Sequence, residues 1–175
     1  RHLVQLATDD PLTRLLNNRG LEDALQVTLA AATRSNLPTS AIMVDIDHFQ
    51  KVNDNFGYDT GDHVIQATAD TLSRLARNSD VIARTGGKEF LLVLPDTALD
   101  SARVLANRIR QTIGNTPLAV DQNRIQLTVS IGLACAQGKV SLDELQQAAR
   151  RAIYLAKRGG RNRVASVEHK PEQIF

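Results

Sequence analysis

The run Ala41-Ile42-Met43-Val44-Asp45-Ile46-Asp47 is apolar almost throughout and ends in two acids. An unbroken apolar stretch of that length reads as a central strand, buried on both faces, that delivers carboxylates at its C-terminal edge. Upstream, Leu21, Leu25 and Leu29 recur every four residues, which predicts a helix from Arg19 to about Arg34. Asn36-Leu37-Pro38 stops it, and Asn17 or Asn18 is placed to cap its start after the turn-rich Asp10–Leu16 stretch. Downstream, His48 to about Arg77 reads as two helical pieces parted by a bend over residues 55–62, where Gly57 and Gly61 lie among polar groups.

Residues 81–84 and 89–94 are β-prone and joined by Gly86-Gly87, a hairpin signal. Pro95-Asp96-Thr97 ends the second run, and Val104, Leu105, Ile109 and Ile113 mark an amphipathic helix from about residue 98. Leu118–Val120 and Ile125–Ala136 suggest a second hairpin around Asp121-Gln122-Asn123. Ser141 with Glu144 forms a capping box that opens a helix to about Lys157, which Gly159-Gly160 ends. Residues 163–166 read as a last edge strand. Such mixed connections predict an α+β fold, ferredoxin-like or polymerase-palm-like, with a mostly antiparallel sheet surrounded by helices. Residues 1–10 read as a linker or the end of an upstream signalling helix, 11–167 as the domain and 168–175 as a C-terminal tail.

Composition bounds the function. With 175 residues, 42% hydrophobic and 23% charged, the chain can bury a real core. Two Tyr, four Phe and no Trp argue against a base-stacking platform, so no nucleic-acid partner is expected. The net charge of +2 implies no polyanion by itself. Cys135 stands alone, which excludes an internal disulfide and any zinc site of several thiolates. No apolar run approaches the roughly 20 residues that cross a bilayer, so no membrane contact is expected of this segment. The start at Arg1 without a signal peptide reads as a piece of a longer chain, with a cytoplasmic location expected for this part.

Four clusters carry possible chemistry. Asp45-Ile46-Asp47-His48-Phe49 ends the buried strand; hard oxygens there suit Mg²⁺, while the plain alternative is one capping acid and one solvated acid. Arg84-Thr85-Gly86-Gly87-Lys88-Glu89-Phe90 has two glycines that permit positive φ and close ligand approach, or simply make a tight turn. Lys157-Arg158-Gly159-Gly160-Arg161 either complements a helix dipole or clamps phosphate. Arg77-Asn78-Ser79-Asp80 is an ion-pair-capable RxxD spacing, common by chance.

Together these clusters resemble one family, the GGDEF domains of diguanylate cyclases, over roughly residues 10–166. The matching stretches are Asp10-Pro11-Leu12-Thr13, Asn17-Asn18-Arg19, Asp45–Phe49, Asn53-Asp54 and Gly61-Asp62. The Gly86–Phe90 hairpin, Val129-Ser130-Ile131-Gly132, Ala152–Lys157 and Gly160-Arg161-Asn162 follow in order.

The resemblance implies condensation of two GTP into cyclic di-GMP, with pyrophosphate released, by two facing domains of a homodimer under an upstream sensor domain. It implies that Asp45 and the Ile46 carbonyl hold Mg²⁺, or Mn²⁺. It places phosphates on the backbone around His48, Phe49 and Gln50 and against Gly86 and Gly87, and guanine on Asn53 and Asp62. Lys157 and Arg161 would neutralise the triphosphate, completing a catalytic set of Asp45, Lys88, Glu89, Lys157 and Arg161. Arg77 and Asp80 would form a product-inhibition site for cyclic di-GMP, completed by Arg108 of a neighbouring domain.

Three positions depart from the family pattern. Gln50 replaces a usual Lys, and Tyr58 a common His. Lys88 replaces an Asp or Glu that helps hold metal, and an ammonium cannot ligate a cation. Glu89 is not expected to compensate, because adjacent strand residues point to opposite faces. Two readings follow: a Mg²⁺-dependent, product-inhibited cyclase output domain, or a degenerate member that binds cyclic di-GMP or GTP.

Overall fold

The structure, a computed structural model, describes residues 7–167. In chain order the elements are α1 (Asn18–Ser35), β1 (Pro38–Ile46), α2 (Phe49–Phe56), α3 (Tyr58–Leu75), β2 (Val81–Arg84) and β3 (Glu89–Leu94). They continue with α4 (Leu99–Asn115), β4 (Leu118–Val120), β5 (Asn123–Ile125), β6 (Val129–Gln137), α5 (Leu142–Arg158) and β7 (Val164–Ser166). The main sheet has the order β2-β3-β1-β6-β7, with β7 parallel to β6 and the other pairs antiparallel. This is the α+β, mostly antiparallel, helix-flanked arrangement expected from the sequence.

The central position of β1 explains its unbroken apolar run, because neighbours and helices cover it on all sides. Alternation then divides the core in two. Ile42, Val44, Ile46, Phe90, Leu92 and Leu94 face α2, α3 and α4. Ala41, Met43, Leu91 and Val93 face α1 and α5, where Leu21, Leu25, Leu145 and Ile153 meet them. Asp45 follows Met43 in the alternation and so emerges on the α1/α5 side. At Gly132 of β6 a Cβ would collide with the Ala149 carbonyl and the Ile153 amide, so glycine is what lets α5 lie flat on the sheet.

Local chemistry sets the element ends. Asn17, not Asn18, caps α1, its side-chain oxygen accepting from the Gly20 amide at 2.9 Å. Ser141 accepts from the Glu144 amide at 3.4 Å and opens α5. Between α2 and α3 the whole bend falls on Gly57, at φ +90. Gly61 and Asp62, expected in that bend, lie instead in α3, because Gly57 alone turns the chain and burial resumes at Thr60.

The run Ile125–Ala136, expected as one strand of a hairpin, is split. β5 pairs with β4 in a separate two-stranded sheet, while β6 joins the main sheet. The Thr128 carbonyl accepts from the Asp47 amide at 3.0 Å, which draws the chain across to the end of β1.

Residues 7–10, expected as linker or the end of an upstream signalling helix, are tied to the residues that follow: the Thr8 carbonyl accepts from the Asn17 amide, and Asp9 bridges to Leu16. The remainder of the expected linker, residues 1–6, and the expected tail, residues 168–175, lie outside the described residues. No helix among the described residues is long and apolar enough to cross a membrane.

Candidate active site at the end of strand β1

Strand register builds the site. Asp45 pairs with Glu89 of β3 on one side and Ser130 of β6 on the other, so the glycine-tipped hairpin lies directly beside Asp45. The Ile46 amide donates to the Lys88 carbonyl at 3.2 Å and closes that edge. The hairpin tip is braced from outside by Arg84, which donates to the Gly87 carbonyl at 2.7 Å and to Asp10 at 3.2 Å. Burial raises the pKa of the Asp10 carboxyl, but bonds from the Thr13 hydroxyl and amide and from Arg84 outweigh it and leave it below the ordinary value.

Neither signature glycine uses the left-handed freedom expected of it, since positive φ occurs among the described glycines at Gly57, Gly138 and Gly160. What the pair supplies is room. A Cβ at Gly87 would meet nothing within 4 Å, and one at Gly86 would meet only Glu89. The protein itself does not fill the space above the hairpin.

Glu89 differs from expectation. Directly paired antiparallel residues share a face, so Glu89 is on the Asp45 side rather than turned from it. Its carboxylate is already engaged, accepting from the Thr85 hydroxyl at 2.7 Å and from Arg150 at 3.2 Å. Lys88, at the tip beyond the regular strand, is the residue that reaches Asp45.

The two acids of the opening run have separate fates. Asp47 accepts from Ser130 Oγ at 2.6 Å, Thr128 Oγ1 at 2.7 Å and the Asn162 amide at 3.0 Å, which knots β1, β6 and the turn after α5. Asp45, equally buried, pairs through Oδ2 with the Lys157 ammonium. Its Oδ1 lies 3.6 Å from Lys88 Nζ and makes no hydrogen bond.

These residues do not fit the Mg²⁺ or Mn²⁺ expected on Asp45 and the Ile46 carbonyl. The orphaned Oδ1 is a suitable oxygen, but an ammonium faces it. Glu89 and Asp47 are committed elsewhere, and no group of three His, Cys, Asp or Glu that could hold a metal occurs among the described residues. A divalent ion on Oδ1 would meet the positive charge of Lys88, whose Nζ already stands 3.6 Å from that oxygen.

The remaining predicted residues lie on α2, α3, α5 and the turn after α5. His48, at φ +56, turns the chain from β1 into α2, and the first-turn amides of Phe49 and Gln50 lack carbonyl partners one turn upstream. Such amides form a ready anion site. The Gln50 side chain turns away to Asp54, at 2.9 Å.

The Asn53 carboxamide oxygen is buried without a partner and lies against Gly61, the residue before exposed Asp62. Lys157 lies in the last turn of α5, and Arg161 is exposed in the left-handed turn that Asn162 anchors to Asp47. A recess of about 330 Å³ between β6 and α5, lined by Ala134, Gln137 and Arg151, opens at the other end of the sheet and shares none of these residues.

Arg77 and Asp80 stand together at the start of β2. The Asp80 carboxylate accepts from the Arg77 amide at 2.8 Å, while its other oxygen, Oδ1, is buried and unpartnered. The Arg77 guanidinium donates to Thr97 Oγ1 at 2.7 Å and is largely exposed. Arg108 is exposed on α4 and forms no hydrogen bond or ion pair with this motif among the described residues.

Sequence reasoning gave no supporting role to Arg84, Thr97, Thr128, Ser130 or Arg150. Arg84 and Ser130 stood within quoted motifs, but their partners lie far along the chain.

Residues 7–163 match the family described as Diguanylate cyclase, GGDEF domain. The chain is 39% identical over 166 residues to Response regulator PleD of Caulobacter vibrioides, covering 93% of this chain and 37% of that protein. The chain thus spans little more than a third of that relative's length.

Among solved structures, the GGDEF domain of DgcB from Caulobacter crescentus, in complex with c-di-GMP, superposes with a TM-score of 0.86 at 34% identity, over 91% of this chain and 95% of that one. The active GGEEF domain of a diguanylate cyclase from Vibrio cholerae gives 0.81 at 31% identity, over 89% and 99%. That protein's signature, GGEEF, carries an acid where this chain has Lys88.

Proposed function

The chain belongs to the diguanylate cyclase GGDEF family, and from that premise we propose that it is a guanine-nucleotide-binding output domain in which condensation of two GTP into cyclic di-GMP is strongly slowed. The observation that carries this reading is the placement of two ammonium groups, Lys88 and Lys157, on Asp45.

Binding is supported at both ends of a nucleotide. Asn53 and Asp62 meet guanine, where a carboxylate accepting from the ring N–H and the amino group selects G over A. The α2 amides and the open space over Gly86 and Gly87 receive phosphates, and Lys157 and Arg161 neutralise them. Turnover needs two such domains face to face, each ribose 3′-hydroxyl attacking the other α-phosphate. With positive charge at Lys88 where relatives carry an acid, the hydroxyl loses a carboxylate neighbour that would favour its deprotonation.

The decisive measurement is chromatography of cyclic di-GMP formed from GTP and Mg²⁺. Lys88→Glu should raise synthesis by at least about tenfold, a charge reversal beside Asp45 being worth more than 1.4 kcal/mol. Equal synthesis by both proteins would show that Lys88 does not limit the reaction. Complete silence of the wild type alongside retained GTP binding would favour the second reading, a binding module, which the same Lys88–Asp45 contact supports.

A second nucleotide surface is proposed at Arg77 and Asp80. The exposed guanidinium suits phosphate or a guanine edge, and the unpartnered Asp80 oxygen awaits a donor. Arg77→Ala should abolish tight cyclic di-GMP binding in calorimetry, and undiminished binding would refute the assignment.

A further inference from the structure

We infer that the Lys88 ammonium occupies the place of a divalent ion at Asp45, so that this chain binds guanosine triphosphate without metal. The inference rests on the proposed nucleotide site and concerns how that site is charged. Asp45 is a buried carboxylate whose Oδ2 is held by Lys157 and whose Oδ1 is faced only by Lys88, 3.6 Å away. The Lys88 side chain is 45% exposed, so its head group stands between the buried acid and the open space over the hairpin.

A metal ion in such a position joins two anions, a protein carboxylate and a phosphate. An ammonium does the same with three N–H donors, one side toward the carboxylate and the others free for phosphate oxygens. It brings one charge instead of two, and the second is already present on Lys157. The two ammoniums exceed the one Asp45 carboxylate by a single positive charge, which is left to face the incoming polyphosphate. The other acids on this floor supply nothing, since Glu89 is held by Thr85 and Arg150 and Asp47 by three donors. Lys88 thus acts as a phosphate-binding residue covalently fixed where a cation would otherwise be recruited.

The test is calorimetric titration of the domain with a non-reactive GTP analogue, in millimolar Mg²⁺ and again in excess EDTA. Wild-type affinity should agree within about threefold between the two conditions, because the bridging charge is part of the protein. Lys88→Glu should lose at least about tenfold in EDTA and recover in Mg²⁺, and Lys88→Met should weaken in EDTA by a similar factor. Circular dichroism of each variant checks that the fold is kept.

A tenfold fall of wild-type affinity on chelation overturns the inference while leaving the nucleotide site intact. Chelator-independent binding by Lys88→Glu overturns it too, since Lys88 would then not be the substitute. Absence of wild-type binding in both conditions overturns the nucleotide reading itself, and this inference with it.

Discussion

Asp45 and Asp47 are two residues apart, equally buried, and do opposite work. The three donors on Asp47 come from Thr128, Ser130 and the turn at Asn162, which lie 81, 83 and 115 residues away in the chain. Removing the carboxylate leaves the buried Ser130 hydroxyl, the half-buried Thr128 hydroxyl and an amide without their acceptor. Asp47→Ala should therefore cost about 3 kcal/mol or more, read as a shift of the urea midpoint. Asp45→Asn should cost about 1 kcal/mol, because its lysine partners are 45% and 31% exposed and water replaces the lost acceptor. Equal losses at both positions would contradict this division of labour. The sequence showed that both acids end a buried strand, but not which was structural. That distinction depends on partners far along the chain, and no local pattern brings them forward.

At the scale of elements, periodicity made the helices and the central strand legible, because 3.6-residue and continuous apolar patterns follow directly from what each element buries. The errors fall where a long-range bond overrides a local pattern. The β5–β6 division follows the Thr128–Asp47 contact, and the fate of Glu89 follows strand register, which alternation between neighbours 88 and 89 does not reveal.

Asp10 is a further instance: a residue expected to end the linker in fact ties the entry turn to β2 and to the hairpin tip through Arg84. Its carboxyl is held below the ordinary 3.8, the Thr13 and Arg84 bonds outweighing the opposing effect of burial. A carboxyl with a depressed folded-state pKa binds protons more weakly in the native protein. Its stabilisation is complete above the unfolded value and is lost as pH falls through the folded one. Asp10→Asn should lower Tm at neutral pH, by the equivalent of about 1–2 kcal/mol, and the gap to wild type should close as the solution is acidified below that range. A gap that stays constant into acid would show that the charge of Asp10 contributes nothing.

For the whole molecule, the interior place of β1 in the sheet follows from one constraint, that the least interrupted apolar run must be flanked on both edges and both faces. That much was readable from residues 41–47, while the candidate site at their end was expected only from the family resemblance. What remained hidden was occupancy: which acids were already spent, and that Lys88 and Lys157 converge on the one acid still available.

The same geometry limits what a single domain can do. One chain offers one copy of the proposed guanine-reading pair, Asn53 with Asp62, whereas the proposed condensation joins two GTP. Nucleotide binding should then be first order in protein, and synthesis should require an encounter between two loaded domains. With Lys88→Glu restoring turnover, the initial rate of cyclic di-GMP formation should rise about as the square of domain concentration while the domains are mostly monomeric, since the concentration of pairs follows mass action. The GTP affinity measured by calorimetry should stay constant across the same series. A rate strictly proportional to concentration, in samples that sedimentation shows to be monomeric, would mean that one domain completes the reaction and that the facing arrangement is not needed.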